Sequence, residues 1–323
     1  MDVNAKIWVA GHNGLAGSAI VRCLKTGGYN NLVLKSHSEL DLCNQAAVKD
    51  FYAREQPEYV FIAAAKVGGI WANNEYPAEF ISENLAIERN VIHGAHLAGV
   101  KGLLFLGSAC IYPRNCEQPI KEEYLLTGSL ESTNEWYAVA KICGLKLCQA
   151  YSKQYGRRFI SLMPTNLYGP GDNFDLNCSH VIPALIRKFV EAKEKNAPQV
   201  VVWGSGTPLR DLLFIDDLAE AAVWAMNHYE DNQWLNVGTG TEVSIRELAA
   251  LIADIVEYQG QIAFDSSKPD GTPRRVLDVS RINEFGWNAK VSLRAGLEKT
   301  VLWYKNHRNE ARLTVANGER GGQ

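Results

Sequence analysis

Ile7-Trp8-Val9-Ala10-Gly11-His12-Asn13-Gly14-Leu15-Ala16-Gly17-Ser18 is the stretch on which the fold turns. Four apolar residues run into three glycines spaced G-x-x-G-x-x-G, and Ser18 to Lys25 then carries a helical pattern. A short apolar strand, a tight turn and a helix open a βαβ unit. The glycines permit positive φ, let the backbone approach a pyrophosphate and let the helix pack close to the strand. The N–H groups at the helix start then face the phosphates. Three glycines alone also read as a plain turn, and the spacing is not the commoner G-x-G-x-x-G. The strand–turn–helix context favours a dinucleotide loop.

Outward from this loop, strand and helix patterns alternate. Leu32 to Leu34 reads as a strand, Ala46 to Arg54 as a helix, and Tyr59 to Ala65 as a buried strand. A long helix over Ala78 to Ala98, a strand at Leu103 to Leu106, a helix over Glu135 to Tyr155 and a strand at Phe159 to Met163 complete the series. Near-continuously apolar strands separated by helices predict an α/β fold: a Rossmann-type doubly wound parallel sheet covered on both faces. After Pro164 the alternation is lost. Helices are expected at Val181 to Lys195, Asp216 to Tyr229 and Ser244 to Ile255, the last opened by the capping box Ser244-x-x-Glu247. Strands are expected at Val200 to Trp203 and Leu235 to Val237. The expected division is a cofactor-binding domain over residues 1–165, with a segment near 212–238 returning to it, and a smaller C-terminal α/β substrate domain over 166–323. Asn317 to Gln323 is polar and glycine-rich, the pattern of a disordered tail.

Composition narrows the class. A chain of 323 residues, 46% hydrophobic and 21% charged, is long enough for a large core without a metal or disulfide framework. A net charge of −3 with no Lys/Arg run argues against a nucleic-acid partner. Seven cysteines, an odd number without paired spacing, suit a reducing compartment, and none has zinc-ligand spacing. Neither a signal peptide nor a membrane span is legible. The expectation is a cytoplasmic enzyme without a metal.

Two further segments carry chemistry. Tyr137 and Lys141 are four apart on the Glu135 to Tyr155 helix and so share a face. The lysine charge is expected to draw the phenol below its usual pKa of about 10. Ser108, in Gly107-Ser108-Ala109-Cys110, follows a parallel strand, at whose carboxyl end ligands sit. Together these residues predict hydride-transfer equipment. The second strand ends Lys35-Ser36-His37-Ser38 with no carboxylate before Glu39, which favours a 2′-phosphate and hence NADP. A solvated loop is the competing reading there. Cys110 also reads as packing, and Trp203 as a core residue. His12 reads either as a phosphate-positioning side chain or as local turn chemistry.

At this point the chain resembles the extended short-chain dehydrogenase/reductases, and within them the epimerase-reductases of GDP-sugars. The matching segments include Ala63 to Ile70, Ala72-Asn73-Asn74, Leu103 to Pro113, Asn134 to Lys141, Met163 to Pro170, His180 to Leu185, Val201 to Arg210, Asn236 to Gly240 and Lys268 to Arg274. The resemblance covers about residues 6 to 305. It implies a homodimer and 3,5-epimerisation followed by NADPH-dependent 4-keto reduction of GDP-4-keto-6-deoxy-D-mannose. In that scheme Tyr137 protonates the C4 oxygen, Lys141 holds the nicotinamide ribose and Ser108 polarises the carbonyl. Cys110 is the base of the epimerisations and His180 the acid. Cofactor contacts are implied for Gly11, His12, Asn13, Gly14, Leu15, Ala16, Gly17, Lys35, Ser36, His37, Leu106, Gly107, Lys141, Pro164, Thr165, Asn166, Leu167 and His180. Substrate contacts are implied for Asn166, Lys188, Trp203, Arg210 and Asp270. The chain departs from the family pattern at Asn13, His37, Ala109, Asp211, Phe214 and the Asp175-Leu176-Asn177 segment. Related alternatives are an NAD-retaining 4-epimerase, a 4,6-dehydratase or a non-catalytic NADP-binding regulator. Ala109-Cys110 stands where dehydratases carry an acidic pair, which argues against dehydration.

Overall fold

The computed structural model describes residues 1–176, 179–268 and 270–308; Asn177, Cys178, Pro269 and the tail from 309 lie outside them. The first half holds β1 (Ile7–Ala10), α1 (Leu15–Thr26), β2 (Leu32–Val33), α2 (Gln45–Glu55), β3 (Tyr59–Ile62), α3 (Ile70–Glu75), α4 (Pro77–Leu97), β4 (Gly102–Leu106), α5 (Glu135–Tyr155) and β5 (Phe159–Pro164). Next come β6 (Asn166–Tyr168), α6 (Val181–Glu194), β7 (Gln199–Trp203), β8 (Leu209–Arg210), β9 (Leu212–Phe214), α7 (Ile215–His228) and β10 (Leu235–Val237). The chain finishes with β11 (Val243–Ser244), α8 (Ile245–Val256), β12 (Gln261–Asp265), β13 (Arg274–Arg275), α9 (Ser280–Glu284) and α10 (Leu293–Asn306).

Six parallel strands form the main sheet in the order β10-β5-β4-β3-β1-β2. The chain steps outward from β1 to β2, then returns to lay β3 on the other side of β1. That reversal opens a crevice at the carboxyl ends of β1 and β3, where open α/β sheets bind ligands. Side chains alternate across the strands. Trp8 packs with Phe51, Tyr52, Val91 and Leu145 on the face covered by α2, α4 and α5. Ile7 and Val9 pack with Ile20, Leu24, Leu218 and Ala222 on the face covered by α1 and α7. Each such large apolar side chain contributes about 1.5–3 kcal/mol through burial. A separate core joins Tyr168, Phe174, Ile186, Phe189, Leu248, Ile252, Leu297 and Tyr304. Around it lie the β12-β7 pair, the β6-β9 pair and the small sheet β11-β8-β13.

The parallel sheet matches the expected fold, and two boundaries differ for physical reasons. Tyr59 to Ala65 was expected as one strand, but β3 stops at Ile62. Ala63 N donates to Ala10 O at 2.9 Å, and the chain then wraps the glycine loop. Helix α1 begins at Leu15 rather than Ser18, because Gly14 already takes the extended N-cap conformation. The capping box at Ser244 and Glu247 forms as expected. Strands β8, β11 and β13 have two residues each, too short to leave a periodicity.

Candidate active site

The glycine loop is shaped by contacts that no side chain would permit. Gly11 has φ +86°, and a Cβ there would lie 2.5 Å from Ala64 N. A Cβ on Gly17 would lie 2.6 Å from the Gly11 carbonyl carbon and 2.9 Å from His12 Cα. Helix α1 is thereby pressed against the end of β1. Gly14 differs: a Cβ there would meet only Gly11 O, at 3.4 Å, so that face is open among the described residues. Gly14 gives α1 no side-chain cap, and the first turn of the helix carries no acid to neutralise its positive end. His12 Nδ1 is buried without a hydrogen-bond partner among the described residues. An open glycine face, an uncapped helix start and an orphaned ring nitrogen fit a bound diphosphate. In the loop after β2, Glu39 folds back so that Ser36 N and Oγ donate to its carboxylate at 2.8 and 2.7 Å, and Lys35 pairs with it at 3.5 Å. These bonds hold Glu39 down at a pKa of about 2, the Ser36 N–H first among the causes.

The reactive cluster assembles at the end of β4. Ser108 caps a single 3-10 turn over Ala109–Ile111, and its Oγ accepts from Cys110 N at 3.3 Å. This turn holds Cys110 buried beside Ser108. Helix α5 brings in the other pair, with Lys141 Nζ 5.7 Å from the Tyr137 ring centre. Lys141 does not simply face the phenol. Its ammonium donates to Leu106 O at 3.1 Å, sits 4.7 Å from the Phe105 ring centre and pairs with Glu88 of α4 at 3.3 Å. The expectation that Lys141 draws Tyr137 below its usual pKa is therefore corrected. Tyr137 is raised well above that value, by burial first and then by the charges of Cys110 and Glu88. Burial also pushes the Cys110 thiol up, against the Ser108 hydrogen bond and the charges of Arg275 and Lys141. His180 occupies the N-cap of α6, open to solvent yet ringed by enough protein that desolvation lowers its pKa.

The remaining expected residues fall into two groups. Leu106, Gly107 and Pro164 lie at the ends of β4 and β5, beside the glycine loop's end of the sheet. Thr165 is buried, its Oγ1 donating to Asp211 O at 3.0 Å, and Asn166 Nδ2 donates to the same carbonyl at 3.1 Å. The departure at Asp211 has a structural use: its Oδ1 accepts from Thr239 N and Oγ1, pinning the turn after β10 to β8 and β9. In the second lobe Trp203 is 60% exposed, with Lys188 and Lys268 ammoniums 5.4 and 5.6 Å from its ring centre. Asp270 is committed within the protein, accepting from Ser205 N at 2.6 Å and from Ser205 Oγ at 2.8 Å. Arg210 is pulled down to a pKa of about 10, by burial and then by Arg275, its register partner on β13. Sequence reasoning missed Glu88, Arg275 and Lys268. Glu88 had a signal: it continues the buried stripe Phe80, Asn84, Glu88, Ile92, and a lone acid on such a stripe is unusual.

Residues 7–238 match the model of the NAD dependent epimerase/dehydratase family. GDP-L-fucose synthase 1 of Arabidopsis thaliana is 58% identical over 303 residues, covering 94% of each chain. GDP-L-fucose synthase of Escherichia coli (strain K12) is 53% identical over 316 residues, covering 95% of this chain and 98% of the bacterial one. Among solved structures, a GDP-L-fucose synthetase from Naegleria fowleri bound to NADP superposes with a TM-score of 0.90 at 30% identity, covering 97% of this chain and 96% of that one. The chain belongs to the NAD dependent epimerase/dehydratase family, and within it to the GDP-L-fucose synthases.

Proposed function

We propose that this protein converts GDP-4-keto-6-deoxy-D-mannose to GDP-L-fucose, inverting C3 and C5 and then reducing the C4 ketone with NADPH. The observation that carries the reading is the convergence of Ser108, Cys110, Tyr137 and Lys141 at the end of β4, in a chain 53% identical to the bacterial GDP-L-fucose synthase. A reductase alone needs Ser108, Tyr137 and Lys141; the thiol in the same turn supplies a second reaction.

The C4 ketone acidifies the protons on both neighbouring carbons. Cys110 takes each proton as thiolate, and the electrons move onto the C4 oxygen as an enolate. Hydroxyls of Ser108 and Tyr137 donate to that oxygen, which a protonated, buried Tyr137 is suited to do. Inversion requires return of a proton on the opposite ring face, the role given to His180, and exchange with water restores the Cys110 thiolate and the His180 proton between the two inversions. Its lowered pKa makes the protonated ring a stronger acid, present in a smaller share. NADPH, when bound, supplies the hydride for C4. Tyr137 then releases its phenolic proton to the C4 oxygen, and Lys141 steadies the nicotinamide ribose. The α1 N-terminus and His12 hold the cofactor diphosphate, with Lys35, Ser36 and His37 toward the 2′-phosphate. Trp203 offers a flat surface to the guanine end, with Lys188, Lys268 and Arg210 toward the substrate diphosphate. Asp270 acts by holding its own loop against Ser205.

The cofactor site belongs to residues 1–165 with 212–238, and the GDP-sugar site draws mainly on residues from 166 onward, an arrangement supported by the separate core around Phe174 and Phe189. Two copies pair through α4 and α5, and the enzyme works in the cytoplasm. No helix among the described residues is long and apolar enough to cross a membrane. The test is absorbance of the reduced nicotinamide with GDP-4-keto-6-deoxy-D-mannose, run with NADPH and with NADH. Stoichiometric loss with NADPH, and deuterium from heavy water at C3 and C5 of the product, are expected. Absence of any absorbance loss defeats the reading.

A further inference from the structure

Glu88 is used by no step above, yet it is placed at cost. It is 2% exposed, as is Lys141, and its Oε1 lies 3.3 Å from Lys141 Nζ. Neither Glu88 oxygen accepts a well-directed hydrogen bond among the described residues, and its compensation is the Lys141 ammonium first, with the Gly144 backbone N–H after it. An apolar residue of similar volume would fill such a space with less desolvation. The space is nonetheless cleared for the carboxylate. Gly144 of α5 faces it, and a Cβ there would lie 2.6 Å from Glu88 Oε2 and 2.5 Å from Phe105 Cζ. A charge is kept in the α4–α5 core, and a helix position is left bare to admit it.

An ammonium has three N–H bonds. One is spent on Leu106 O and one points to Glu88, and the ammonium lies 4.7 and 5.7 Å from the Phe105 and Tyr137 ring centres. We propose that Glu88 is a positioning residue of the reduction: it anchors Lys141 at the end of β4 and offsets part of its charge, so that Tyr137 keeps the proton it must donate. The inference rests on the reaction proposed above. The raised pKa of Tyr137, to which burial, Cys110 and Glu88 contribute in that order, agrees with it. The ionisable groups that feel Glu88 come from α5: Lys141, Tyr137, Cys143 and Cys148. From α2, Tyr52 bonds Val91 O three residues along α4, and β4 contributes the Phe105 ring and the Leu106 carbonyl. Lys66, Glu79 and Glu83 cluster at the N-terminal turns of α4.

Glu88→Gln keeps the shape and removes the charge. In the cofactor-free protein, alkaline titration of tyrosinate absorbance should show one tyrosine ionising about one pH unit lower or more, as expected for a nearby charge no longer offset. That component should vanish in Glu88→Gln/Tyr137→Phe. With cofactor and substrate, the alkaline limb of the reduction should move down in pH by a similar amount, while deuterium exchange at C3 and C5 persists at neutral pH. A merely structural Glu88 would lower both reactions together without moving the limb. Wild-type tyrosine titration and a wild-type limb in Glu88→Gln would overturn the proposal. If that variant does not fold, Glu88→Asp, whose charge is withdrawn by one methylene, should show a smaller shift in the same direction, and no shift overturns it equally. Should the wild-type chain oxidise no NADPH, the proposed reaction fails, and the cofactor-free titration still decides the part of Glu88.

Discussion

Alanine at the second and third glycines of the loop separates two costs that the motif merges. At Gly17 the new methyl group would overlap the Gly11 carbonyl, whose carbon would be 2.6 Å away, where ordinary contact begins at 3.4 Å. The obstacle is backbone on both sides, so α1 must retreat from β1 by roughly 1 Å in an interior that is already close-packed. Overpacking of this kind costs about 1–3 kcal/mol. For a chain of 323 residues that corresponds to a fall in Tm of roughly 1.5–4.5 °C. The retreat also withdraws the α1 N-terminus from the phosphates, so NADPH affinity should fall with stability. At Gly14 the methyl group meets only Gly11 O, at ordinary contact distance. Gly14→Ala should therefore lose less Tm than Gly17→Ala, only the modest cost of alanine at an N-cap, while its NADPH affinity falls because the methyl occupies the face offered to the diphosphate. A loss of about 1.4–2.8 kcal/mol would raise Kd roughly 10- to 100-fold. Thermal unfolding of the cofactor-free proteins and NADPH fluorescence titrations measure both quantities. Gly17→Ala with an unchanged Tm, or Gly14→Ala with unchanged NADPH affinity, would refute this account of the loop.

Tyr137→Phe should lower reduction by about 10²–10⁴-fold, the range for loss of a general acid, while deuterium still enters C3 and C5; mass spectrometry of recovered substrate checks this. Cys110→Ser should lose that exchange yet bind NADPH as the wild type does, and full incorporation in the variant would exclude Cys110 as the base. Because burial raises the Cys110 pKa, its thiolate is a minority form that grows as pH rises toward that raised value, so exchange should climb with pH until it is reached. Glu88 is raised to about 7 from an ordinary 4.5, by burial against the charge of Lys141. The stability this gives is fully present below pH 4.5 and is lost as pH rises through about 7. Unfolding midpoints of wild type and Glu88→Gln, compared at intervals from pH 5 to 8, should diverge across that window, and a constant difference would speak against it.

The amino-acid sequence was sufficient wherever local rules and long-range packing agree. Helix α5 runs from Glu135 to Tyr155 as its pattern requires, stopped by Gly156 in the left-handed conformation. The glycine loop, the apolar strands and the Ser108, Tyr137, Lys141 spacing are all local signals. Strands β8, β11 and β13 were invisible because two residues carry no period, and their pairing joins positions as distant as Leu209 and Arg274. The state of Tyr137 was decided only in three dimensions. Helical spacing correctly put Lys141 beside it, but spacing does not report what else the ammonium meets. Glu88 comes from another helix, 53 positions earlier in the numbering, and burial comes from every element around the cleft. Which residues stand near one another along a helix follows from its geometry. How strongly a charge acts depends on the dielectric and the counter-charges that tertiary packing assembles, and those set the proton on Tyr137.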